Sequence, residues 1–144
     1  MSPALPLAAG GLLLFVLALA VVRVLLRRRT AAMIERFGGS EIVMVSPGAS
    51  FFGLESRGMG QVRGNGVLLL TSGQLCFEML LPRRVFTIPL ETVTGVQIVK
   101  SHLGKSRACP LLKVSFAGPA GPDSAAWALG NPEEWVGAIS GRLP

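Results

Sequence analysis

His102, Lys105 and Arg107 lie close together between Ser101 and Pro110. An ammonium and a guanidinium each give charge-assisted hydrogen bonds to an oxyanion, and an imidazole adds a further donor when protonated, so the trio suits a phosphate or an acidic peptide. The same stretch also reads as a solvated hairpin tip, and so does the second basic tip, Arg83-Arg84 after Pro82. Phe51-Phe52 is a different kind of candidate. Neighbouring side chains of a strand point to opposite faces, so one Phe stands ready for a partner unless the helix before or after the strands covers it. Arg63-Gly64-Asn65-Gly66 reads either as a nest of backbone donors for an anion or as a plain hairpin. The hairpin is favoured, because Asn-Gly suits a type I′ turn.

Catalysis fares poorly on the inventory. The chain has one His, one Asp (Asp123), no Tyr, and no set of His, Cys, Asp and Glu at metal-ligand spacing. Gly58-Met59-Gly60 is not followed by the third glycine of a dinucleotide motif, and no phosphate-binding G-x-x-x-x-G-K-[ST] occurs. Cys76 and Cys109 are too few for a disulfide framework and lack C-x-x-C spacing, so both are expected as free thiols in a reducing compartment. Attack by Cys76 with His102 as base would need an activating neighbourhood, and none is written around Cys76. The expectation is a binding protein, not an enzyme, with no catalytic residue, no metal site and no cofactor.

The charge of +6 and a pI near 10.7 raise the question of nucleic acid. Arg23, Arg27, Arg28 and Arg29 carry four of the 14 cationic side chains, which leaves ten against eight acids from Thr30 onward. The domain is nearly neutral, with no basic-aromatic stripe, so no nucleic-acid partner is expected. The arginines instead flank an apolar run. Ala4 to Val22 is nineteen residues without a charge. At ~1.5 Å per residue that is roughly 28 Å of helix, close to the ~30 Å hydrocarbon thickness of a bilayer. A cleaved signal peptide is disfavoured, since no Lys or Arg precedes Leu5 and arginines stand where a small-residue cleavage site would be needed. With Arg23 and Arg27 to Arg29 on its C-terminal side, the positive-inside rule predicts a single-pass protein of the cell membrane, N-terminus outside and domain in the cytoplasm. The same arginines would meet anionic headgroups of the lipid bilayer.

The expected organisation is therefore an anchor over residues 1–29, a stalk over 30–39 in which Thr30 to Phe37 continue the helix until Gly38-Gly39 break it, and one domain over 40–144. Short runs of period-two alternation bounded by Gly, Pro, Asn or Ser predict antiparallel strands at 41–46, 50–55, 60–63, 66–71, 74–80, 85–90, 95–100, 111–117 and 124–129. Leu75, Phe77 and Met79 alternate with Gln74, Cys76 and Glu78, which predicts one core face and one face for water or a partner. Leu112, Val114 and Phe116 repeat the pattern. Ser72-Gly73 separates two strands as a tight turn. Asn131-Pro132-Glu133-Glu134 starts a helix from Pro132 to about Leu143, with Trp135, Val136, Ile139 and Leu143 on its covering side.

About seven strands closed by a C-terminal helix resemble the pleckstrin-homology (PH) superfold, specifically its small bacterial PH-like and GRAM-like members. Two segments carry the resemblance. Gly66-Val67-Leu68-Leu69-Leu70-Thr71 through Leu75-Cys76-Phe77 is similar to the GRAM-type hairpin, and Ile88-Pro89-Leu90 through Val93 and Val96 to the step that follows it. A preponderance of arginine over lysine fits a GC-rich bacterial gene. The resemblance implies a mainly β (α+β) barrel or roll capped by a helix, and it implies an interaction module. The basic cluster with which eukaryotic members capture phosphoinositides is missing, since only Arg57 and Arg63 stand in the early strands. The expectation is a scaffold or accessory protein that holds a protein partner at the membrane through Phe51 or Phe52 or the 102–107 stretch. Binding of anionic lipid headgroups is the alternative, and a small enzyme the remote one.

Overall fold

The computed structural model describes residues 4–38 and 41–144, with the side chains of residues 4–6 and 107 outside the description. One helix, α1 (Ala4–Arg36), takes in both the predicted anchor and most of the stalk without a break over 33 residues, about 50 Å at ~1.5 Å per residue. Leu12, Leu13, Leu14 and Phe15 point to successive sides and all are exposed, so the apolar part has no face turned to the rest of the molecule. It is long and apolar enough to cross a membrane, and none of its most apolar stretch is buried. The helix tightens at its end, where Phe37 N–H donates to the Met33 carbonyl and Gly38 N–H to the Glu35 carbonyl.

Seven strands follow: β1 (Ile42–Leu54), β2 (Gly64–Thr71), β3 (Gln74–Met79), β4 (Arg84–Pro89), β5 (Val93–His102), β6 (Lys105–Gly118) and β7 (Gly121–Ala128). They form one antiparallel sheet in the order β4-β3-β2-β1-β7-β6-β5, and α2 (Pro132–Ser140) packs on β5 and β6. The mainly β architecture with a helix at each end is as expected. The sheet is an open roll with β4 and β5 as its edges, not a closed barrel.

The two strands expected at 41–46 and 50–55 are a single strand of 13 residues. Gly48, at φ +81°, lets the register slip beside it without the steric penalty a side chain would meet. The first half of β1 pairs with β2 alone, and from Ser50 onward the strand also pairs with β7, Phe51 opposite Trp127. No strand forms at 60–63. There the Gln61 side chain satisfies the backbone instead, donating to the Leu54 and Gly58 carbonyls at 2.6 and 2.5 Å and accepting from Leu54 N–H at 2.8 Å. Asn65-Gly66 is not a turn either but lies within β2. Gly66 is needed for close approach, because a Cβ there would run into the Glu78 carbonyl of β3. Ser72-Gly73 does join β2 to β3, with Thr71 Oγ1 accepting from Gln74 N–H at 3.1 Å. The type I′ signature, positive φ at both central residues, belongs to Leu103 (+51°) and Gly104 (+71°). Hence the stretch from Ser101 to Pro110 is no open loop, since β5 and β6 stay paired up to His102 and Lys105.

The core lies inside the roll. Phe51, Phe77, Phe86 and Trp127 form one ring cluster with centroids 5.2 to 6.1 Å apart. α2 adds Trp135 and Ile139, both fully buried on the side predicted for them. Burying a Trp contributes roughly 2–4 kcal/mol at ~25 cal/mol per Å².

The opposite face of β2 and β3, expected to meet water or a partner, is buried. Val67, Leu69 and Cys76 pack with Met33 of α1, and Leu26 and Phe37 join them. The stalk is thus the lid of a second, smaller core. This explains why Val67, Leu68, Leu69 and Leu70 are apolar without alternation: each is buried whichever way it points.

Candidate functional site

Two polar constellations stand out on this frame, and each is created by an element folded against the outer face of the sheet. The first lies under α1. Glu78 of β3 is 1% exposed, and its carboxylate receives Arg29 of α1 at 3.1 Å, Arg83 from the β3–β4 turn at 3.2 Å, and Arg36 of α1. Arg29 and Arg36 are two helical turns apart and so share the face that meets the sheet. A buried carboxylate is tolerable only with such partners. Arg29 therefore turns to the sheet, apart from Arg23, Arg27 and Arg28, which are exposed. Arg83, read from sequence as a solvated tip, is 58% exposed and pairs with Glu78 as well. Beside this clamp, burial pushes the Cys76 thiol up to about 11 against the opposing pull of Arg36. A thiol raised in this way stays largely protonated at neutral pH. Both cysteines are free, as expected, Cys109 being exposed.

The second constellation lies under the tip of the β5–β6 hairpin. Phe51 is spent in the core, so Phe52 emerges on the outer face of β1, half-buried. The hairpin tip folds over this face. His102 is 5% exposed and its Nε2 stands 3.0 Å from the Gly53 carbonyl, a contact that requires the proton on Nε2. A Cβ placed at Gly104 would meet the Met59 Sδ at 3.5 Å, so the tip lies close to the β1–β2 connection. Between the tip and the sheet, Lys105 and Ser106 face Phe52, Arg63 and Asn65 across a cleft of about 320 Å3.

The electrostatics rearrange the roles expected from sequence. Burial lowers the His102 pKa, and the charges of Lys113 and Arg63 lower it further, against opposing contributions from the Gly53 hydrogen bond and Glu55. The imidazole is neutral at pH 7 and holds the hairpin down instead of serving as a third cation. Lys105 does line the cleft, together with Phe52, so two of the expected residues meet there. The Arg107 side chain lies outside the described residues. The residue that sequence reasoning undervalued is Arg63, whose three guanidinium nitrogens are shielded from solvent and have no hydrogen-bond partner among the described residues. In the sequence it stood out only in the anion-nest reading of Arg63 to Gly66 and, with Arg57, as a basic residue of the early strands. Asp123, the lone Asp, is a structural anchor that accepts Ser56 N–H at 2.9 Å and the Ser56 hydroxyl at 2.6 Å. Among the described residues no group of His, Cys, Asp and Glu is placed to hold a metal ion.

No protein-family model and no curated protein matches the chain. Among solved structures, it is similar to a crystal structure of the C-terminal domain of an unknown protein from Leishmania infantum. The TM-score is 0.52 at 15% sequence identity, over 76% of this chain and 89% of the other. At that identity the likeness speaks for the fold alone.

Proposed function

We propose that the chain is a single-pass protein of the cell membrane whose PH-like domain serves, without catalysis, as an interaction module that holds a protein partner at the cytoplasmic face. The observation that carries this reading is the continuity between span and domain. α1 leaves its apolar stretch and, with no hinge, packs Met33 into the sheet and ties Arg29 and Arg36 to Glu78. A domain fastened in this way keeps a fixed distance and orientation to the bilayer, which suits the positioning of a partner. Arg23, Arg27 and Arg28 at the domain end of the span support the cytoplasmic orientation. Seven antiparallel strands followed by a helix support the PH-like assignment.

Protease added to sealed right-side-out vesicles should leave the domain intact, and protease added to inverted vesicles should digest it; the reverse result refutes the orientation. For the partner, full-length protein extracted in mild detergent should co-purify a specific protein. Phe52→Ala, or joint replacement of His102, Lys105 and Arg107, should abolish that association. Retention in both variants removes these residues from the interface.

A second reading, contact of the domain with anionic headgroups, is favoured by the direction of β1. That strand runs back along α1, from Ile42 packed in one cluster with Phe37 to Gly48, where a Cβ would lie 3.9 Å from Leu26, and so toward the apolar stretch of the helix. Beyond it, Met59 and Val62 in the β1–β2 connection and Leu81 in the β3–β4 turn are exposed, with Arg57 and Arg84. In nanodiscs containing brominated lipid, a Trp replacing Leu81 should be quenched; unchanged emission excludes the contact.

A further inference from the structure

α1 carries a groove that the fold leaves open beside its contact with the sheet. Arg29, Met33 and Arg36 face the sheet, and a different stripe of the same helix, Val16, Ala20, Arg23, Arg27, Ala31 and Ile34, recurs every three or four residues along about 27 Å. Two cavities run along this stripe and meet at Arg23 and Arg27, which line both. One, of about 430 Å3, lies within the apolar run beside Val16, Leu19 and Ala20. The other, of about 500 Å3, lies on the domain side, lined by Leu26, Ala31 and Ile34 of α1 and by Pro47 of β1. Thr30 brings no unmet donor to it, since its hydroxyl donates to the Leu26 carbonyl at 2.7 Å. Ile34 is 41% exposed, and Ala31 and Pro47 are exposed too, so an apolar surface stays open past the arginines. Neither Arg23 nor Arg27 forms an ion pair among the described residues, and α1 has no carboxylate before Glu35.

We propose that this groove seats a helix of a second, different membrane protein, with Asp or Glu side chains opposite Arg23 and Arg27. The inference rests on the reading of α1 as a membrane span, and it names the kind of partner that the chain holds. A second copy of this chain is the wrong occupant. In a parallel pair it would set Arg23 against Arg23 and Arg27 against Arg27, with no acid on the stripe to separate them. An anionic phospholipid would satisfy the two guanidinium groups and the bilayer side of the groove, because its chains run from the headgroup into the bilayer. It would leave Leu26, Ala31, Ile34 and Pro47 uncovered on the domain side. A helix passes the arginines and continues, so it covers both halves. Ala20 and Ala31 let its backbone approach closely, and carboxylates at the level of Arg23 and Arg27 turn two charges that would repel most helices into the means of selecting one.

The test uses the full-length protein in the cells that make it, with a benzophenone photocrosslinker placed at Ala20, Ala31 or Ile34 in the groove, or at Leu25 or Ala32, which are exposed on the far side of α1. Crosslinked peptides are identified by mass spectrometry, and the same membranes are washed with carbonate. The expected result is one membrane protein joined from the three groove positions and not from the other two, through a helix with Asp or Glu at the depth of Arg23 and Arg27. Arg23→Glu with Arg27→Glu should lower the yield about tenfold, the effect of losing a charge-assisted contact, and Arg23→Lys with Arg27→Lys should keep it. Replacing the partner's acids by lysine should restore the yield in the Glu variant. Ala31→Trp fills the domain side without altering charge; it too should lower the yield, and it decides the matter should the Glu variant fail to insert. Crosslinks to lipid alone or to a second copy of the chain, equal yields from Leu25 and Ala32, or no crosslink at all overturn the proposal. Release of the protein by carbonate overturns the span reading with it, whereas retention without a helix crosslink overturns this proposal alone.

Discussion

Glu78, His102 and the two cysteines each make a measurable statement about their surroundings. Removing the carboxylate in Glu78→Ala leaves three guanidinium groups facing one another at the α1–sheet contact. Their partial exposure, 32 to 58%, softens the loss expected for a fully buried pair, so a destabilisation of about 1–3 kcal/mol should appear in denaturant unfolding of the full chain. His102 sets a pH dependence. Its folded-state pKa lies below the ordinary 6.5, so the unfolded chain binds a proton that the native chain refuses. Stability is therefore whole above about pH 6.5 and declines as the pH falls below it. The groups acting on the ring are the Lys113, Arg63 and Glu55 side chains and the Gly53 carbonyl. Between about pH 7.5 and 5.5 the Tm should fall more in the native chain than in His102→Gln, which keeps a donor for Gly53 but does not titrate. Equal falls in the two would remove His102 from the effect. With a maleimide, Cys109 should react at once and Cys76 only on unfolding, since one thiol is exposed and the other is buried with its pKa near 11.

At the level of elements, legibility followed periodicity. The strands around Leu75-Phe77-Met79 and Leu112-Val114-Phe116, the Ser72-Gly73 connection and the helix from Pro132 were all readable, because each is set by local alternation, by turn chemistry or by a proline in the first helical turn, although the Asn131 side chain makes no capping hydrogen bond. What misled was long-range contact. Asn65-Gly66 has the composition of a tight turn, yet its glycine serves the approach of β3, a neighbour that no local window contains. Leu103 carries no turn signal, but it adopts the positive φ of the true hairpin turn. That geometry costs a leucine on the order of 1 kcal/mol, so Leu103→Gly or Leu103→Asn should preserve or raise the Tm, whereas Gly66→Ala should lower it sharply. The candidate site was half legible for the same reason. Lys105 and Phe52 were in view as separate residues, but only the fold of the hairpin across β1 sets them opposite Arg63.

For the molecule as a whole, the uninterrupted α1 makes the long apolar helix and the sheet domain mechanically one object. The stalk is not a spacer, because Met33, Leu26 and Phe37 complete the outer core of β2 and β3 and Glu78 closes the contact. A chain cut after Arg36 would expose Val67, Leu69 and Cys76 and should aggregate unless the helix is supplied. We propose that this fastened domain lies on the cytoplasmic side of a membrane crossed once. Cys109 reports on it directly, being exposed while Cys76 is silent. A membrane-impermeant maleimide applied to intact cells and to inverted membrane vesicles should label Cys109 only in the vesicles. Labelling in intact cells would place the domain outside, and recovery of the protein in the soluble fraction after carbonate washing would show that α1 does not cross the membrane.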